Sequence, residues 1–276
     1  MAPADRPLVQ PGRSRPRALT VAGSDSGGGA GIQADLKTFA AFGVYGASAV
    51  TAITAQNTLG VRAIHEVPAE VVAAQMDAVL SDIGADAVKT GMLSSKPIVE
   101  AVADRLRAHG VSRLVVDPVM VAKSGDRLLR DDAVAALRGL LLPLAEVVTP
   151  NAGEAGVLAG IEVAGDDTAR EAARRIHALG PRCVIVKGGH LGGSTSDDLV
   201  FDGDRFEVLS GRRIATRHTH GTGCTFSAAI AAGLAAGFSP LEAARAARTF
   251  VQGAIEHAEP MGRGHGPLNH LWRTRT

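Results

Sequence analysis

"DAVKTGMLSSKPIVEAVADRLRAHGVSRLVVDPV", residues 86–119, contains a short apolar strand, a helix and a second apolar strand in succession. The predicted strands cover residues 86–91 and 113–119, and the predicted helix between them lies near residues 95–109. Two strands joined through a helix form the unit from which parallel sheets are built. This stretch therefore predicts an α/β fold.

The same alternation of short apolar runs and helical stretches continues along most of the chain. Further strands are predicted at residues 18–23, 47–54, 146–150 and 183–189, and further helices near 30–42, 68–83, 131–142, 151–159 and 167–179. After residue 189, the runs 197–203 and 205–211 predict an antiparallel edge hairpin, which helices near 222–236 and 240–258 follow. We expect one mostly parallel, doubly wound sheet.

The composition indicates a folded protein without a strongly charged partner. Hydrophobic residues make up 46% of the 276 residues, and 29 Lys and Arg balance 28 Asp and Glu. This balance argues against nucleic acid or an anionic membrane as a partner, and no apolar run reaches the roughly 18 residues that a membrane span needs. We expect a single domain over residues 18–276, a flexible Pro- and Arg-rich arm over residues 1–17, and a cytoplasmic location. Cys183 and Cys224 lack a CxxC spacing and are expected to be free thiols.

A glycine-rich loop follows the first predicted strand, in the stretch GSDSGGGAGIQADLKTF, residues 23–39. Residues 29–34 satisfy G-x-G-x-x-A, the dinucleotide fingerprint, and make a nicotinamide-dependent oxidoreductase a remote alternative. That class needs an acidic residue at the end of the second strand to bind the ribose, where this chain has TAQN at 54–57. The chain contains no Walker A sequence either.

A second glycine turn, Gly221-Thr222-Gly223, leads directly into the predicted helix near residues 222–236. The first turn of a helix exposes unpaired N–H groups and about half a positive charge, so it can bind an anion without Lys or Arg. We predict that this turn, called the anion turn (residues 221–224), binds phosphate.

Polar residues follow several predicted strands at the ends where parallel strands carry their ligands. Asp117 follows one strand, Asn151 and Glu154 follow the next, and Lys187 lies at the end of another. An Asp and a Glu suit Mg²⁺, which takes oxygen ligands.

Seven motifs in this order and spacing resemble the hydroxymethylpyrimidine and phosphomethylpyrimidine kinases of thiamin biosynthesis, in the ribokinase superfamily. They are GSDSGGGAGIQADLKTF, TAITAQNTLGV, VKTGML, DPVMVAKSGDRLL, VTPNAGEA, VIVKGGH and THGTGCTFSAA, and the resemblance spans about residues 18–270. The resemblance implies a ribokinase-like three-layer αβα sandwich. It also implies ATP with Mg²⁺, and phosphoryl transfer to a pyrimidine hydroxymethyl group and then to the resulting monophosphate.

The resemblance also implies roles for individual residues. The pyrimidine would contact Gly23, Asp35, Gln56, Met92 and Val119, with Asp35 and Gln56 as hydrogen-bonding groups. Asp117 and Glu154 would hold Mg²⁺. The phosphates would contact Asn151, Lys187 and the backbone of Gly221, Thr222, Gly223 and Cys224.

Cys224 stands where most ribokinase relatives carry an Asp that accepts the hydroxyl proton. A free thiol has a pKa of about 8.5, and helix N-termini and cations lower it to about 3.5–7.5, so Cys224 is expected to be a thiolate near neutral pH and to act as the base. The alternative is that Cys224 packs under the substrate while the anion turn provides the catalysis. Phosphoryl transfer through a loose transition state needs little assistance from a base.

Three questions stay open at this point. A pyridoxal or pyridoxine kinase would share the same chemistry, and a ligand-sensing protein without catalysis is a more remote possibility. Relatives are often dimers, so a homodimer is expected, with the edge hairpin as a contact surface. His218 and His220 flank the anion turn and are expected to be positioning or solvated residues, because their spacing makes a poor zinc site.

Overall fold

The main sheet has eight strands in the computed structural model, which describes residues 15–120, 130–188 and 195–273. The described residues form ten strands, of which β3 and β4 lie outside the main sheet. In chain order they are β1 (Arg17–Ala22), β2 (Tyr45–Val50), β3 (Ala52–Asn57), β4 (Gly60–Glu66), β5 (Ala87–Thr90), β6 (Leu114–Val116), β7 (Val147–Val148), β8 (Cys183–Lys187), β9 (Asp198–Phe201) and β10 (Phe206–Leu209). The order across the main sheet is β10-β9-β8-β7-β6-β5-β1-β2, and the six strands from β8 to β2 are parallel. β9 and β10 form the antiparallel edge hairpin. The predicted mostly parallel sheet with an antiparallel edge is confirmed.

Helices cover both faces of this sheet. They are α1 (Gly31–Ala41), α2 (Ala69–Asp82), α3 (Lys96–Ala108), α4 (Asp131–Ala136), α5 (Ala152–Ala159), α6 (Asp166–His177), α7 (Thr222–Ala235) and α8 (Pro240–Glu256). One apolar core lies between the sheet and α2 to α6, and a second lies between the sheet and α1, α7 and α8. The three-layer αβα arrangement is therefore confirmed. None of the helices in the described residues is both long enough and apolar enough to cross a membrane.

The prediction of one continuous strand over residues 47–54 is wrong. The chain leaves the main sheet at Thr51, whose N–H donates to Ala22 O at 3.0 Å, and β3 then pairs with β4 in a separate antiparallel hairpin. No local signal marks this break, because the strand-like run ASAVTAIT continues through Thr51. Alternating burial along β3, with Ile53 56% exposed, shows that one face of the hairpin is open.

Two other boundaries differ from the sequence predictions. β1 begins at Arg17, inside the predicted arm, because its backbone N–H and guanidinium both bond to the Asp86 carboxylate. Residues 1–14 of the predicted arm, the end of the predicted strand 183–189 and residues 121–129 of the DPVMVAKSGDRLL motif lie outside the described residues. The predicted helix 131–142 consists of α4, a π-helical segment (Leu137–Leu141) and the start of a 3-10 turn (Leu142–Leu144).

Small residues let α7 pack closely against α8. From Thr225 to Ala235 every residue of α7 is buried, and a Cβ added at Gly233 would lie 2.8 Å from the Cβ of Ala243. A methyl group does not fit at that distance. The close packing fixes the axis of α7 and with it the position of the anion turn.

We expect Gly233→Ala to lower the free energy of unfolding by about 1–3 kcal/mol, because the added methyl overpacks the α7–α8 contact. The matched control is Gly139→Ala in the helical segment before β7, where an added Cβ meets no atom of the described residues within 4 Å. There the substitution should be neutral or stabilising by up to about 1 kcal/mol, since Ala favours helix more than Gly. Urea unfolding measures both, and equal effects would contradict the packing argument.

Candidate active site

A cavity of about 700 Å³ opens at the carboxyl ends of the parallel strands. Most of the residues singled out from the sequence line it, namely Gly23, Gln56, Met92, Asp117, Val119, Asn151, Glu154, Lys187, Gly221, Thr222, Gly223 and Cys224. The cavity also has walls that the sequence predictions missed: Ser196, Arg212, Arg213, Ile214, Thr216, Arg248, Val251, Gln252 and Ile255. These residues come from the segments before and after the edge hairpin and from α8. No local motif marks them, because only the fold brings them to the cavity.

The anion turn forms the start of α7. Gly221 precedes the helix with a φ of +83°, and a Cβ there would collide with the carbonyl oxygen of Gly29. Glycine is therefore required at this position. By helix geometry the first N–H groups of α7 have no partner one turn earlier within the helix. The first turn contains no acidic side chain that would offset its positive potential, and its residues line the cavity.

Lys187 and Asp117 lie beside the anion turn. Lys187 Nζ donates to Asp117 Oδ1 at 3.1 Å, and a Cβ added at Gly223 would lie 3.4 Å from the same ammonium. Burial disfavours this ammonium, but the Asp117 and Glu154 carboxylates outweigh the burial and raise the pKa of Lys187. The turn and the lysine thus place amide N–H groups and a positive charge at one point of the cavity.

Asp117 has the properties of a cation ligand. It is 2% exposed, and among the described residues its Oδ2 has no hydrogen-bond partner. An unpaired buried carboxylate oxygen is costly, and a divalent cation would satisfy it. This oxygen lies 3.9 Å from the position of a Cβ at Gly223, so a cation here would adjoin the anion turn.

Glu154 and Asn151 hold each other in a capping box at the start of α5. Asn151 N donates to Glu154 Oε2 at 2.8 Å, and Glu154 N donates to Asn151 Oδ1 at 2.9 Å. Burial raises the pKa of Glu154 to about 7, with Lys187 opposing the rise and Asp117 adding to it. Because the cap uses the oxygen of Asn151, the amide nitrogen remains for a ligand.

Asp35 does not lie where the resemblance implied. Its side chain is fully buried, does not line the cavity, and accepts hydrogen bonds from Lys89 Nζ at 2.8 and 3.0 Å and from Thr20 Oγ1 at 2.6 Å. Direct hydrogen bonding of Asp35 to a pyrimidine disagrees with this geometry. The sequence missed Lys89, a lysine inside an apolar strand, which pairs with Asp35 and lines the cavity.

Cys224 differs in protonation from the sequence expectation. It is partly exposed and lines the cavity, but burial of its thiol raises the pKa to about 11. The Lys89 ammonium lowers this pKa, while the Asp117 and Asp35 carboxylates raise it. This raised pKa contradicts the thiolate expected near neutral pH for the ligand-free protein, because burial outweighs the Lys89 cation.

The remaining predicted substrate residues form one side of the cavity. Gly23 packs against the Met92 methyl group so closely that any Cβ would collide with it, and Gly23 N donates to Met92 O at 3.1 Å. Val119 is partly buried at the wall, and Gln56 lies at a bulge of β3 with its amide at the cavity. These residues offer two apolar walls and one amide.

The glycine-rich loop is organised by Asp25, a residue that the sequence analysis did not single out. The Asp25 carboxylate accepts hydrogen bonds from the N–H groups of Gly27, Gly29 and Ala30 at 2.8 to 3.0 Å. In a dinucleotide site those N–H groups would bind pyrophosphate. Since an acidic side chain already occupies them, the loop does not support the nicotinamide alternative.

Residues 25–269 match the family model described as phosphomethylpyrimidine kinase. The chain belongs to this family. A hydroxymethylpyrimidine/phosphomethylpyrimidine kinase from Rhizobium meliloti is 58% identical over 261 residues, covering 93% of this chain and 97% of that protein.

Solved kinase structures share the fold. An ADP complex of Bacillus subtilis pyridoxal kinase has a TM-score of 0.89 at 41% identity, covering 95% of this chain and 100% of that one. Staphylococcus aureus pyridoxal kinase in complex with AMP-PCP and pyridoxal has a TM-score of 0.87 at 39% identity, covering 95% and 96%. The predicted ribokinase-like fold is confirmed.

The Lys89–Asp35 pair gives a stability prediction. Lys89→Met or Asp35→Asn alone should lower the free energy of unfolding by about 3–5 kcal/mol, because each leaves a charge buried without its partner. The double variant Lys89→Met/Asp35→Asn should lose less than the sum of the two single losses, because either substitution alone already removes the shared interaction. Urea unfolding gives the values. As a control, Glu171→Gln breaks the exposed 2.7 Å pair with Arg175 and should cost under about 1 kcal/mol. Additive losses in the double variant would contradict a buried charged pair.

The raised thiol pKa gives a pH prediction. Alkylation of Cys224 by iodoacetamide should accelerate about tenfold per pH unit from roughly pH 7 to 9 without a plateau, because only the thiolate reacts. Peptide mass spectrometry separates Cys224 from the buried Cys183, whose pKa burial raises to about 12. Glutathione is the control for reagent chemistry. A rate that levels off below roughly pH 8 would mean that the thiol ionises near neutral pH.

Proposed function

We propose that this chain is an ATP-dependent kinase of thiamin biosynthesis that phosphorylates hydroxymethylpyrimidine and then its monophosphate. The observation that carries the proposal is the anion turn beside the Lys187–Asp117 pair, in a cavity with apolar walls and one amide. Family membership and the name of the Rhizobium meliloti relative support the choice of substrate. The function is therefore phosphoryl transfer to a small aromatic alcohol.

The pyrimidine ring would lie between Met92 and Val119, with the Gln56 amide at its polar edge. An aminopyrimidine offers a donor and an acceptor side by side, which a carboxamide can match with its oxygen and nitrogen. Apolar walls with a few polar anchors are typical of sites for small heteroaromatic ligands. Asp35 does not line the cavity and would act on it through Lys89, which does, without touching the ring.

The phosphates would bind the N–H groups of the anion turn, the Lys187 ammonium and the Asn151 amide nitrogen. Amide N–H groups fixed in this way stabilise charge that develops on phosphoryl oxygens without rearranging during the reaction. Asp117, through its unpaired Oδ2, and Glu154 fit Mg²⁺. When bound, Mg²⁺ would neutralise phosphate charge and orient the transferred group.

Cys224 would accept the proton of the substrate hydroxyl. Because its pKa is about 11, the thiol must ionise first, and Lys89 is the cation that favours the thiolate. This role requires turnover to rise with pH as the thiolate fraction grows. In the competing case, where the anion turn supplies most of the catalysis, turnover would not follow the ionisation of Cys224.

Pyridoxal phosphorylation is the second candidate. Likeness to pyridoxal kinases at about 40% identity favours it, including one in complex with pyridoxal. Both substrates are aromatic alcohols of similar size, so the cavity volume does not separate them.

We also propose a homodimer and a cytoplasmic location, where ATP is supplied.

One assay tests the proposal. ADP release is followed with hydroxymethylpyrimidine, its monophosphate and pyridoxal side by side, and mass spectrometry identifies the products. We expect turnover of both pyrimidines with a lower kcat/KM for pyridoxal.

Asp117→Asn should lower kcat by about 10²-fold and raise the Mg²⁺ concentration needed, because a charged ligand is lost. Asp204→Asn, an exposed acid on the β9–β10 turn, is the matched control.

Cys224→Ala is measured in the same assay. We expect a loss of about 10²-fold in kcat with little change in KM for ATP, and loss of the pH-dependent rise of the unsubstituted enzyme. A loss under tenfold with an unchanged pH profile would assign the catalysis to the anion turn. Turnover of pyridoxal alone would select the second candidate, and no ADP release with any substrate would reject the kinase.

A further inference from the structure

His220 connects the glycine-rich loop to the anion turn. It directly precedes Gly221, and its Nε2 lies 2.8 Å from Oδ2 of Asp25 in the loop. A carboxylate oxygen accepts hydrogen bonds, so Nε2 carries the proton and donates it to Asp25.

The Asp25–His220 contact lies at the cavity wall and is largely buried. Asp25 is 1% exposed and the side chain of His220 is 12% exposed. Burial disfavours the Asp25 carboxylate, but His220 and the N–H groups of Ala30 and Gly27 outweigh it and lower the pKa of Asp25. Asp25 is therefore a fixed anion that organises its own loop and also holds His220.

This contact joins two segments: the glycine-rich loop on the substrate side of the proposed site, and the segment that leads into the anion turn on the phosphate side. The loop begins at Gly23, against the Met92 wall, and the Gln56 amide lies 3.5 Å from His220 Nε2. On the other side, His220 N donates to Gly266 O at 3.0 Å and its backbone continues into the anion turn. Close contact of Gly221 with Gly29 O leaves no room for the segments to slide.

We infer that His220 is a positioning residue that holds the anion turn against the substrate side of the cavity through its hydrogen bond to Asp25. This inference rests on the proposed kinase function. Phosphoryl transfer requires the hydroxyl oxygen and the phosphorus to be aligned at about 3–3.5 Å, and a misplacement of about 1 Å can cost about 10²-fold in rate. His220 sets that alignment without touching the reacting atoms.

The test compares His220→Leu, which removes the donor at similar size, with His220→Gln, whose amide N–H can replace Nε2–H. We expect His220→Leu to lower kcat by about 10–100-fold with KM for ATP within about threefold, and His220→Gln to recover most of the loss. His265→Leu, an exposed histidine on the neighbouring segment, is the control. A kcat for His220→Leu within threefold of the unsubstituted enzyme, or no rescue by His220→Gln, overturns the inference.

A double-mutant cycle isolates the contact. In the Asp25→Asn background, His220→Leu should cost less than about threefold further, because the shared interaction is already weakened. Independent, additive losses would overturn the inference. A rise in KM for the pyrimidine with unchanged kcat would also overturn it, since His220 would then bind substrate.

A spectroscopic readout separates this inference from the proposed function. In ligand-free protein labelled with ¹⁵N-histidine, the Nε2–H proton of His220 should exchange slowly with solvent, and Asp25→Asn should make it exchange fast. His220→Gln assigns the signal by removing it. Rapid exchange in the unsubstituted protein overturns the inference whatever substrate the enzyme uses. A protected proton in a protein that phosphorylates none of the substrates supports the contact and rejects the kinase.

Discussion

The first turn of α7 must present N–H groups that have no partner within the helix at the carboxyl edge of the sheet, and the surrounding structure depends on that requirement. α7 is buried from Thr225 to Ala235 and packs closely against α8 at Gly233, so its axis cannot shift. Gly221 provides the positive φ that begins the helix against the glycine-rich loop. A rigid helix start of this kind can bind an anion through its backbone N–H groups without a charged side chain. The Lys187–Asp117 pair therefore lies beside a helix start that is fixed in position.

Two ion pairs at this edge of the sheet differ in their exposure and in what they can do. Lys89 and Asp35 are inaccessible to solvent and hydrogen-bond each other, and the charges of both act on the pKa of Cys224. Lys187 and Asp117 border the cavity, and Asp117 keeps one carboxylate oxygen unpaired among the described residues. The first pair shapes the electrostatics of the site. The Lys187–Asp117 pair can contact a ligand bound in the cavity.

Much of the site could be predicted from the sequence because strand ends and glycine turns are local features. The convergence of Asp117, Glu154 and Lys187 follows from parallel strands ending at one edge. The predictions for Asp35 and for the charge of Cys224 were wrong for a shared reason. Hydrogen-bond partners and burial depend on residues far apart in the chain, as with Lys89, which lies 54 residues after Asp35.

The sequence by itself determined the α/β class, the anion turn and the family, because periodicity, glycine placement and motif order are written along the chain. Only the tertiary structure decided that β3 and β4 leave the main sheet, that burial raises the pKa of Cys224, and that His220 reaches Asp25. Each of these depends on side chains meeting across long sequence separations, as with the 195 residues between Asp25 and His220. Burial and pairing of charges are properties of the packed molecule, and no local pattern encodes them.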